Sequence, residues 1–407
     1  MRPKPRSQAR LCWLRHDPPN PHSAYERMLS RICMLLALAF GFAGSTFAGP
    51  CPQGEAIPDG CEAAQFSGVA LHPDFFRGYT GAVYPLRPPW NVPGVDYPVG
   101  HAGALANPAS EGVLPACASY LANRVTVNGD IQPCVLDHLD FTANGGVCVT
   151  VTGRHGDTVT FTNDAFSRNI SVCPYHLIII EAKSVVNIKA LYLDFNDEST
   201  ESMNDDFAWV GSGSIIIEYS YFRNLACRIL NTSSGSKASA VIEHNFLEGM
   251  GAAGGCHAET VEYNSSETVD LHKEDFNNYY EPASHCCGTG FAYVQSAAPG
   301  PAGPGAMNVA EVSHNVMITR RAASGKVTVA APIWVDTTFN NSINSLTLSD
   351  NYIDSEGSYW PILVNAGGSY SGRIRNSRCS GNVMMTAAGN IPIRGLLGKG
   401  TTLVKCD

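Results

Sequence analysis

Residues 312–316 read Val-Ser-His-Asn-Val, and this apolar-x-x-Asn-apolar pattern returns along the chain. Further copies lie at 242–246, 348–352 and 379–383, with weaker ones at 188–192 and 217–221. Between the copies, an aliphatic residue followed by a polar one recurs at intervals from 20 residues (Val210 to Leu230) to 41 residues (Val294 to Val335). Two strand-like signals that alternate in a fixed order predict a repeat architecture.

The repeats are short and rich in Val, Ile, Thr, Asn and Gly, which favours strands over helices. A single coil of short strands cannot bury its own apolar side, so neighbouring coils must stack. We therefore predict an all-β fold, a single parallel β-helix solenoid of about eight or nine coils over residues 122–397. We expect an irregular N-terminal cap with disulfides at 49–121 and a C-terminal tail at 398–407. We expect the repeat asparagines to stack in one structural column: Asn245, Asn315, Asn351 and Asn382.

These stacked asparagines and the coil length resemble the right-handed parallel β-helix superfamily of pectin-lyase-like proteins, over roughly residues 125–397. The resemblance implies a right-handed solenoid whose asparagine side chains satisfy backbone groups at a turn. It does not imply one activity, because that superfamily contains lyases, glycoside hydrolases, esterases, phage tailspikes and proteins that are not enzymes.

The first 48 residues read as a leader. Arg31, the apolar run 32–43 and the small-residue site ending at Ala48 are typical of a secretory signal, with Met28 as a candidate start. No other apolar run suits a membrane span, so we expect an exported protein, extracellular or periplasmic, without membrane insertion. The net charge of -9 argues against nucleic-acid binding. We also expect a monomer.

Cysteine usage points to disulfides. Of 14 cysteines, Cys12 and Cys33 lie in the leader, which leaves 14 − 2 = 12, an even number suited to an oxidising compartment. Two pairs, Cys148 with Cys173 and Cys227 with Cys256, lie about one coil apart, where strand spacing permits a bridge. Cys406 is a candidate partner for Cys379. Zinc binding is the alternative, but no CxxC pair supports it.

One strand of each coil has a candidate binding face. Its aliphatic residues must point inward, so their neighbours point outward. On one side we expect Trp209, Ile229, Thr260, Tyr293, Trp334 and Leu363. On the other we expect Thr152, Glu181, Gly211, Asn231, Glu262, Gln295, Asp336, Asn365 and Arg394. Aromatic rings beside amides and carboxylates are typical of a sugar-binding groove. The alternative is that the tryptophans are buried beneath loops and the polar column is only a solvated sheet.

Within this face, Glu262 and Asp336 are candidate catalytic carboxylates. Two coils should separate their Cα atoms by roughly 9–10 Å, compatible with an inverting acid and base pair. Gln295 would lie between them. The motif 256–262 adds His257 and Glu259 as candidate catalytic residues, although an Arg228–Glu259 ion pair inside the coil would explain Glu259 equally well.

Other loop residues offer a base or a metal site. His272, Lys273 and His285 are expected in loops near Glu262, where one of them could act as the base of a lyase. Calcium is a candidate cofactor, held by Asp205, Asp206 and Glu181.

The leading interpretation is a secreted carbohydrate-active enzyme, a glycoside hydrolase or a polysaccharide lyase, whose partner is a polysaccharide or oligosaccharide. Trp209, Arg228, Asn231, Tyr293, Gln295 and Trp334 would bind the substrate. The alternative is a secreted β-helix protein without catalysis that acts as a glycan-binding, adhesin or structural protein.

Overall fold

The computed structural model describes residues 88–90, 92–94, 97–167, 173, 176–180, 184–196, 206–210, 213–223, 228–232, 239–248, 259–263, 268–272, 275–277, 290–296, 306–319, 330–337, 342–354, 356–364, 373–398 and 403–407. Several strands, among them those at 259–263, 268–272 and 275–277, are described through their backbone alone. The leader therefore lies outside the described residues.

The described chain is built almost wholly of strands, which stack into three long sheets. The first sheet has ten strands, in the order β1 (Ala118–Leu121), β2 (Arg124–Asn128), β4 (Cys148–Thr152), β7 (His176–Ile180), β10 (Asp206–Val210), β13 (Arg228–Thr232), β16 (Glu259–Tyr263), β19 (Gly290–Ser296), β22 (Ile333–Thr337) and β25 (Ile362–Val364).

The second sheet has eleven strands, in the order β29 (Gly395–Leu397), β30 (Val404–Cys406), β26 (Arg373–Ser380), β23 (Ser342–Ser349), β20 (Ala306–Ser313), β17 (Thr268–His272), β14 (Ser239–Glu243), β11 (Gly213–Glu218), β8 (Val186–Leu191), β5 (Thr158–Thr162) and β3 (Cys134–Asp137).

The third sheet has nine strands, in the order β28 (Gly389–Pro392), β27 (Val383–Thr386), β24 (Tyr352–Asp354), β21 (Val316–Ile318), β18 (Asp275–Asn277), β15 (Phe246–Glu248), β12 (Tyr221–Arg223), β9 (Asp194–Asn196) and β6 (Ala165–Ser167). The described residues hold one helical turn, a 3-10 helix at Ala143–Gly145.

Strands pair in parallel along the sheets and antiparallel only at their ends, where β1 pairs with β2, β27 with β28 and β29 with β30. The prediction of stacked parallel coils is thus confirmed. The number of coils in the whole chain stays a prediction, because parts of the chain between strands lie outside the described residues.

The alternation of side chains explains the core. In β2, Val125 and Val127 are fully buried while Arg124 and Thr126 are exposed, as expected where one face of a strand lines the interior. Phenylalanine rings fill one corner of that interior, with Phe207 5.1 Å from Phe222 and 5.3 Å from Phe195 between ring centroids. The apolar core therefore runs along the solenoid axis.

The turn between the second and third sheets repeats in each coil where the structure describes it. Its first residue has a positive φ, for example 57° at Tyr219, 64° at His244 and 57° at His314, a conformation that ends a strand sharply. The next residue points inward and forms a ladder. Asn315 Nδ2 donates to Asn351 Oδ1 (2.9 Å), and Asn351 Nδ2 donates to Asn382 Oδ1 (2.8 Å).

Asn245 occupies the same position. It accepts from the backbone N–H of Ser220 (2.8 Å) and donates to the carbonyl of Ile217 (2.9 Å). The predicted asparagine column is confirmed, and its role is structural, because the amides of Asn245, Asn351 and Asn382 satisfy buried backbone groups of the preceding coil.

The chain before β1 forms a strap, which we define as residues 88–90, 92–94 and 97–106. Trp90 contacts His314 and Tyr352 (ring centroids 5.0 and 5.2 Å) near the C-terminal coils. At the other end, the N–H of Ala106 donates to the carbonyl of His138 (2.8 Å) beside β3. The strap thus crosses the outer face of the third sheet along much of its length.

Apolar packing and close approach hold the strap. Val92 and Val99 are fully buried in a cluster with outward-facing residues of the third sheet, among them Phe246 and Val316. Gly94 has φ 73°, and a Cβ there would lie 2.6 Å from Phe246 Cγ. We expected this region to cap the first coil, but the described part covers the side of the solenoid, and only β1 lies at the end of a sheet.

Three disulfides lie within the described residues: Cys117–Cys134, Cys148–Cys173 and Cys379–Cys406. The second and third were predicted and are confirmed, while the Cys227–Cys256 pair lies outside the described residues. The C-terminal tail also joins the fold, because β30 pairs with β26 at Cys406 and Cys379. Disulfides of this kind suggest an oxidising environment outside the cytoplasm.

Candidate functional site

The outer face of the first sheet brings the predicted groove residues into one column. Trp209 pairs with Asn231, Asn231 with Glu262, Glu262 with Tyr293, and Tyr293 with Trp334. We call these five residues the groove column. Its four strand spacings cover about 19 Å. It begins next to Ile179 and ends next to Leu363.

Burial of the adjacent residues shows which way this column faces. Ala208, Leu230, Ala292 and Ile333 precede column members and are all fully buried in the core. Because successive strand residues point to opposite faces, the column lies on the outer face. Trp334, whose side chain is described, is accordingly half-buried.

This register differs from the expected one. We aligned Leu230 with Val210 and Val261 with Val294, whereas the structure pairs Leu230 with Ala208 and Val261 with Ala292. The shift is two residues, so each residue keeps its face while its neighbours change. Asn231 and Glu262 therefore join the aromatic residues in one column instead of forming a separate polar column.

Three other residues expected on this face do not lie in the groove column. Ile229 is fully buried in the core. Counting from the Val261–Ala292 pair places Thr260 beside Phe291, which is also buried. Arg394 lies between β28 and β29 and belongs to no strand of the first sheet.

Asp336 does not lie on an open surface. It pairs with Gln295 as expected, but it is fully buried. The expectation that it faces solvent is wrong. Tyr293, not Gln295, lies between Glu262 and the strand of Asp336. Two strand spacings and two residues along the strand separate the Cα atoms of Glu262 and Asp336 by about 12 Å, more than we expected.

A second column, of charged residues and a histidine, lies at the start of strands β7, β10, β13 and β16. Asp206 pairs with His176 on one side and Arg228 on the other. Counting from the Leu230–Val261 pair places Arg228 beside Glu259. Arg228 is only 6% exposed, so it does not lie in an open groove. A buried guanidinium requires a carboxylate partner, and the register places Asp206 and Glu259 on the two strands beside Arg228.

The remaining candidates are dispersed or outside the described residues. His272 is the last residue of β17 in the second sheet and pairs with Glu243 and Ser313, so it does not lie in a loop beside Glu262. His257, Lys273, His285, Asp205 and Glu181 lie outside the described residues, as do Gly211 and Asn365.

Sequence reasoning missed one group that could ligate a metal: Asp130, His155 and Asp157, whose ligand atoms lie within 4.8 Å of one another. His155 Nδ1 is 3.1 Å from Asp130 Oδ1. The Arg154 N–H donates to the same oxygen and lowers the pKa of Asp130. These side chains lie at a turn between stacked coils, and Asp157 Oδ2 is 4.0 Å from His155 Nδ1.

No family model, curated protein or solved structure matches this chain. Among the described residues, no helix is both long enough and apolar enough to cross a membrane.

Proposed function

We propose that this protein is an exported carbohydrate-active enzyme that binds a polysaccharide along the groove column and cleaves it there. The observation that supports this is the column itself, in which Trp209, Tyr293 and Trp334 share one face with Asn231 and Glu262. Aromatic rings cover the apolar faces of pyranoses, while amides and carboxylates bind their hydroxyls. A linear glycan fits a linear row of such groups.

Glu262 is the proposed catalytic carboxylate, because it lies at the centre of the column with two residues on each side. In a hydrolase, Asp336 would be its partner, and both side chains would have to converge across about 12 Å between Cα atoms. In a lyase, His257 or a loop lysine would be the base, and calcium held by Asp205, Asp206 and Glu181 would neutralise a uronate.

The second candidate is a glycan-binding protein without catalysis. The burial of Asp336 and Arg228 favours it, because both are removed from the open face. What remains in the column is three aromatic residues, one amide and one carboxylate, which suffices for binding.

The fold proposed for this function is a right-handed pectin-lyase-like β-helix of eight or nine coils. Export to the periplasm or the medium accords with the three described disulfides. Light scattering after size exclusion tests the proposed monomer, and fractionation of cells that express the full chain tests export.

The decisive experiment incubates the full-length protein with a panel of neutral and uronate polysaccharides. Reducing ends without absorbance of unsaturated uronates indicate hydrolysis, and both signals together indicate elimination. Glu262→Gln should lower turnover by about 10²-fold or more, with stability changed by less than about 0.5 kcal/mol. Glu111→Gln, the same change at an exposed residue outside the first sheet, is the control.

Full turnover in Glu262→Gln would refute the catalytic assignment. Binding without products in the wild type would instead support the glycan-binding alternative.

A further inference from the structure

Two exposed aromatic rings lie in the loop just before β25, the last strand of the first sheet. Tyr359 is 67% exposed and Trp360 49% exposed. Among the side chains that the structure describes, no other phenylalanine, tyrosine or tryptophan is exposed to this extent. Contiguous exposed apolar groups often mark a binding site, and these two rings are adjacent, so they are a candidate contact surface.

Hydrogen bonds hold the loop that carries the two rings. The hydroxyl of Thr319, which is fully buried, donates to the carbonyl of Asp354 (3.0 Å) and accepts from the N–H of Gly357 (2.7 Å). Asp354 Oδ1 in turn accepts from the N–H of Glu356 (2.8 Å). The start of the loop is therefore tied to the coil below it.

The rings themselves are anchored at their backbone. The N–H groups of Tyr359 and Trp360 both donate to the carbonyl of Ala330 (3.2 and 3.3 Å). Ser358 Oγ, in a residue only 8% exposed, donates to the carbonyl of Trp360 (3.1 Å). Pro361 follows and restricts the backbone further. The entropy of ordering this loop is thus already lost before a ligand binds.

The position of the pair relates it to the groove column. Trp360 precedes Leu363 by three residues, about 10 Å of extended chain, and Leu363 pairs with Trp334 at the end of the column. A glycan bound along the column and extending towards the start of β25 would reach these rings.

The ring geometry suits a sugar. The two centroids are 5.6 Å apart and the planes are inclined by 48°, so the rings form an open corner rather than a flat patch. A protein partner would need an interface of roughly 1,000 Å² or more, whereas one pyranose covers one ring face.

We infer that Tyr359 and Trp360 form a sugar-stacking platform that binds a pyranose unit of the glycan beyond the groove column. This inference rests on the proposed function for the identity of the ligand but not on catalysis. The platform adds a binding contact remote from Glu262. It should therefore increase the affinity for longer oligosaccharides, which reach it, and leave the affinity for short ones unchanged.

The test measures binding of a panel of neutral and uronate oligosaccharides, two to eight residues long, to the full-length protein by calorimetry. Tyr359→Ala and Trp360→Ala should each weaken binding of the longer members roughly five- to tenfold, the size expected of one lost aromatic contact. Trp360→Phe should retain most of the affinity, because it keeps a ring. Leu121→Ala, which removes another exposed apolar side chain, should bind as the wild type does.

Each outcome separates this inference from the proposed function. Wild-type affinity in both alanine variants, with cleavage intact, would overturn the platform and leave the proposed function standing. Binding that depends on Trp360 without any cleavage would support the platform and refute the enzyme. If no member of the panel binds the wild type, both fail. If Trp360→Ala abolishes only self-association, the rings form a protein contact and the platform is wrong.

Discussion

Asp164 gives the sharpest prediction about stability. It is fully buried at the ladder position of its coil, where its Oδ1 accepts from the N–H of Leu139 (2.7 Å). Asparagine fills the same position in four later coils. In three of them the side-chain amide also donates to a backbone carbonyl of the preceding coil. Asn382, for example, donates to the carbonyl of Leu348 (2.8 Å), which lies three residues before the ladder residue Asn351. The equivalent carbonyl for Asp164 is that of Leu136. As a carboxylate, Asp164 has no proton to donate.

The burial and the pKa of Asp164 agree with the absence of a hydrogen-bond donor in its side chain. Asp164 Oδ2 is buried without a hydrogen-bond partner among the described residues. Burial raises the pKa of Asp164 well above its usual value, and the charge of Asp137 raises it further. When the pKa in the folded state exceeds that in the unfolded state, the folded state binds more protons at pH values between the two. The free energy of unfolding therefore falls as the pH rises through that range. The contribution is fully present below the unfolded pKa of about 3.9.

Asp164→Asn should therefore stabilise the protein at neutral pH. An amide supplies the missing donor and removes the buried charge, a gain of about 1–3 kcal/mol in the free energy of unfolding. For a chain of this size that corresponds to a rise in Tm of about 2–6 °C. The gain should shrink as pH falls towards about 4, because Asp164 is then protonated in the folded and unfolded states alike.

The assay is thermal and guanidinium denaturation of wild type and variant at pH 4 and pH 7.5. Asp130→Asn is the control, because the pKa of this exposed carboxyl is lowered and its neutralisation should not stabilise. A variant less stable than wild type at pH 7.5 would show that the Asp164 carboxylate is stabilised by a partner. A stability difference that is the same at both pH values would show that folding does not shift the pKa of Asp164. Either result would refute the reasoning.

Three further predictions follow from the packing. Asn351→Ala should destabilise by about 2–4 kcal/mol, because it leaves buried backbone groups unpaired; an exposed Asn376→Ala should change little in the same denaturation assay. Trp90→Ala should cost about 3–5 kcal/mol and hasten proteolysis of the strap, and unchanged cleavage would argue against strap docking. Replacing Cys148 and Cys173 by serine should cost about 2–4 kcal/mol, and peptide mapping that finds either bonded elsewhere in the wild type would contradict the bridge.

The sequence predicted correctly those features that depend on the local conformation of a single coil. The spacing of Asn315, Asn351 and Asn382 predicted their ladder, because each turn repeats the same local conformation. The inward aliphatic residues predicted which strand neighbours face outward, because side chains alternate with a period of two. Cys148 and Cys173 were paired correctly because one coil separates them.

The register across the first sheet was not predictable in this way. A shift of two residues returns every side chain to the same face, so the apolar pattern of β13 and β16 fits either alignment. Because the loops between coils differ in length, the sequence does not show which of the two alignments is correct. Only the paired backbones decide that Glu262 lies beside Tyr293 rather than beside Gln295.

The sequence by itself thus determined the stacked parallel coils, the asparagine column and the outer face, since each follows from periodicity within a short segment. The tertiary structure decided the register, the course of the strap and the burial of Asp336. Those depend on which distant segments lie against one another, and burial of an outward-facing residue is set by its covering neighbours rather than by its own place in a strand.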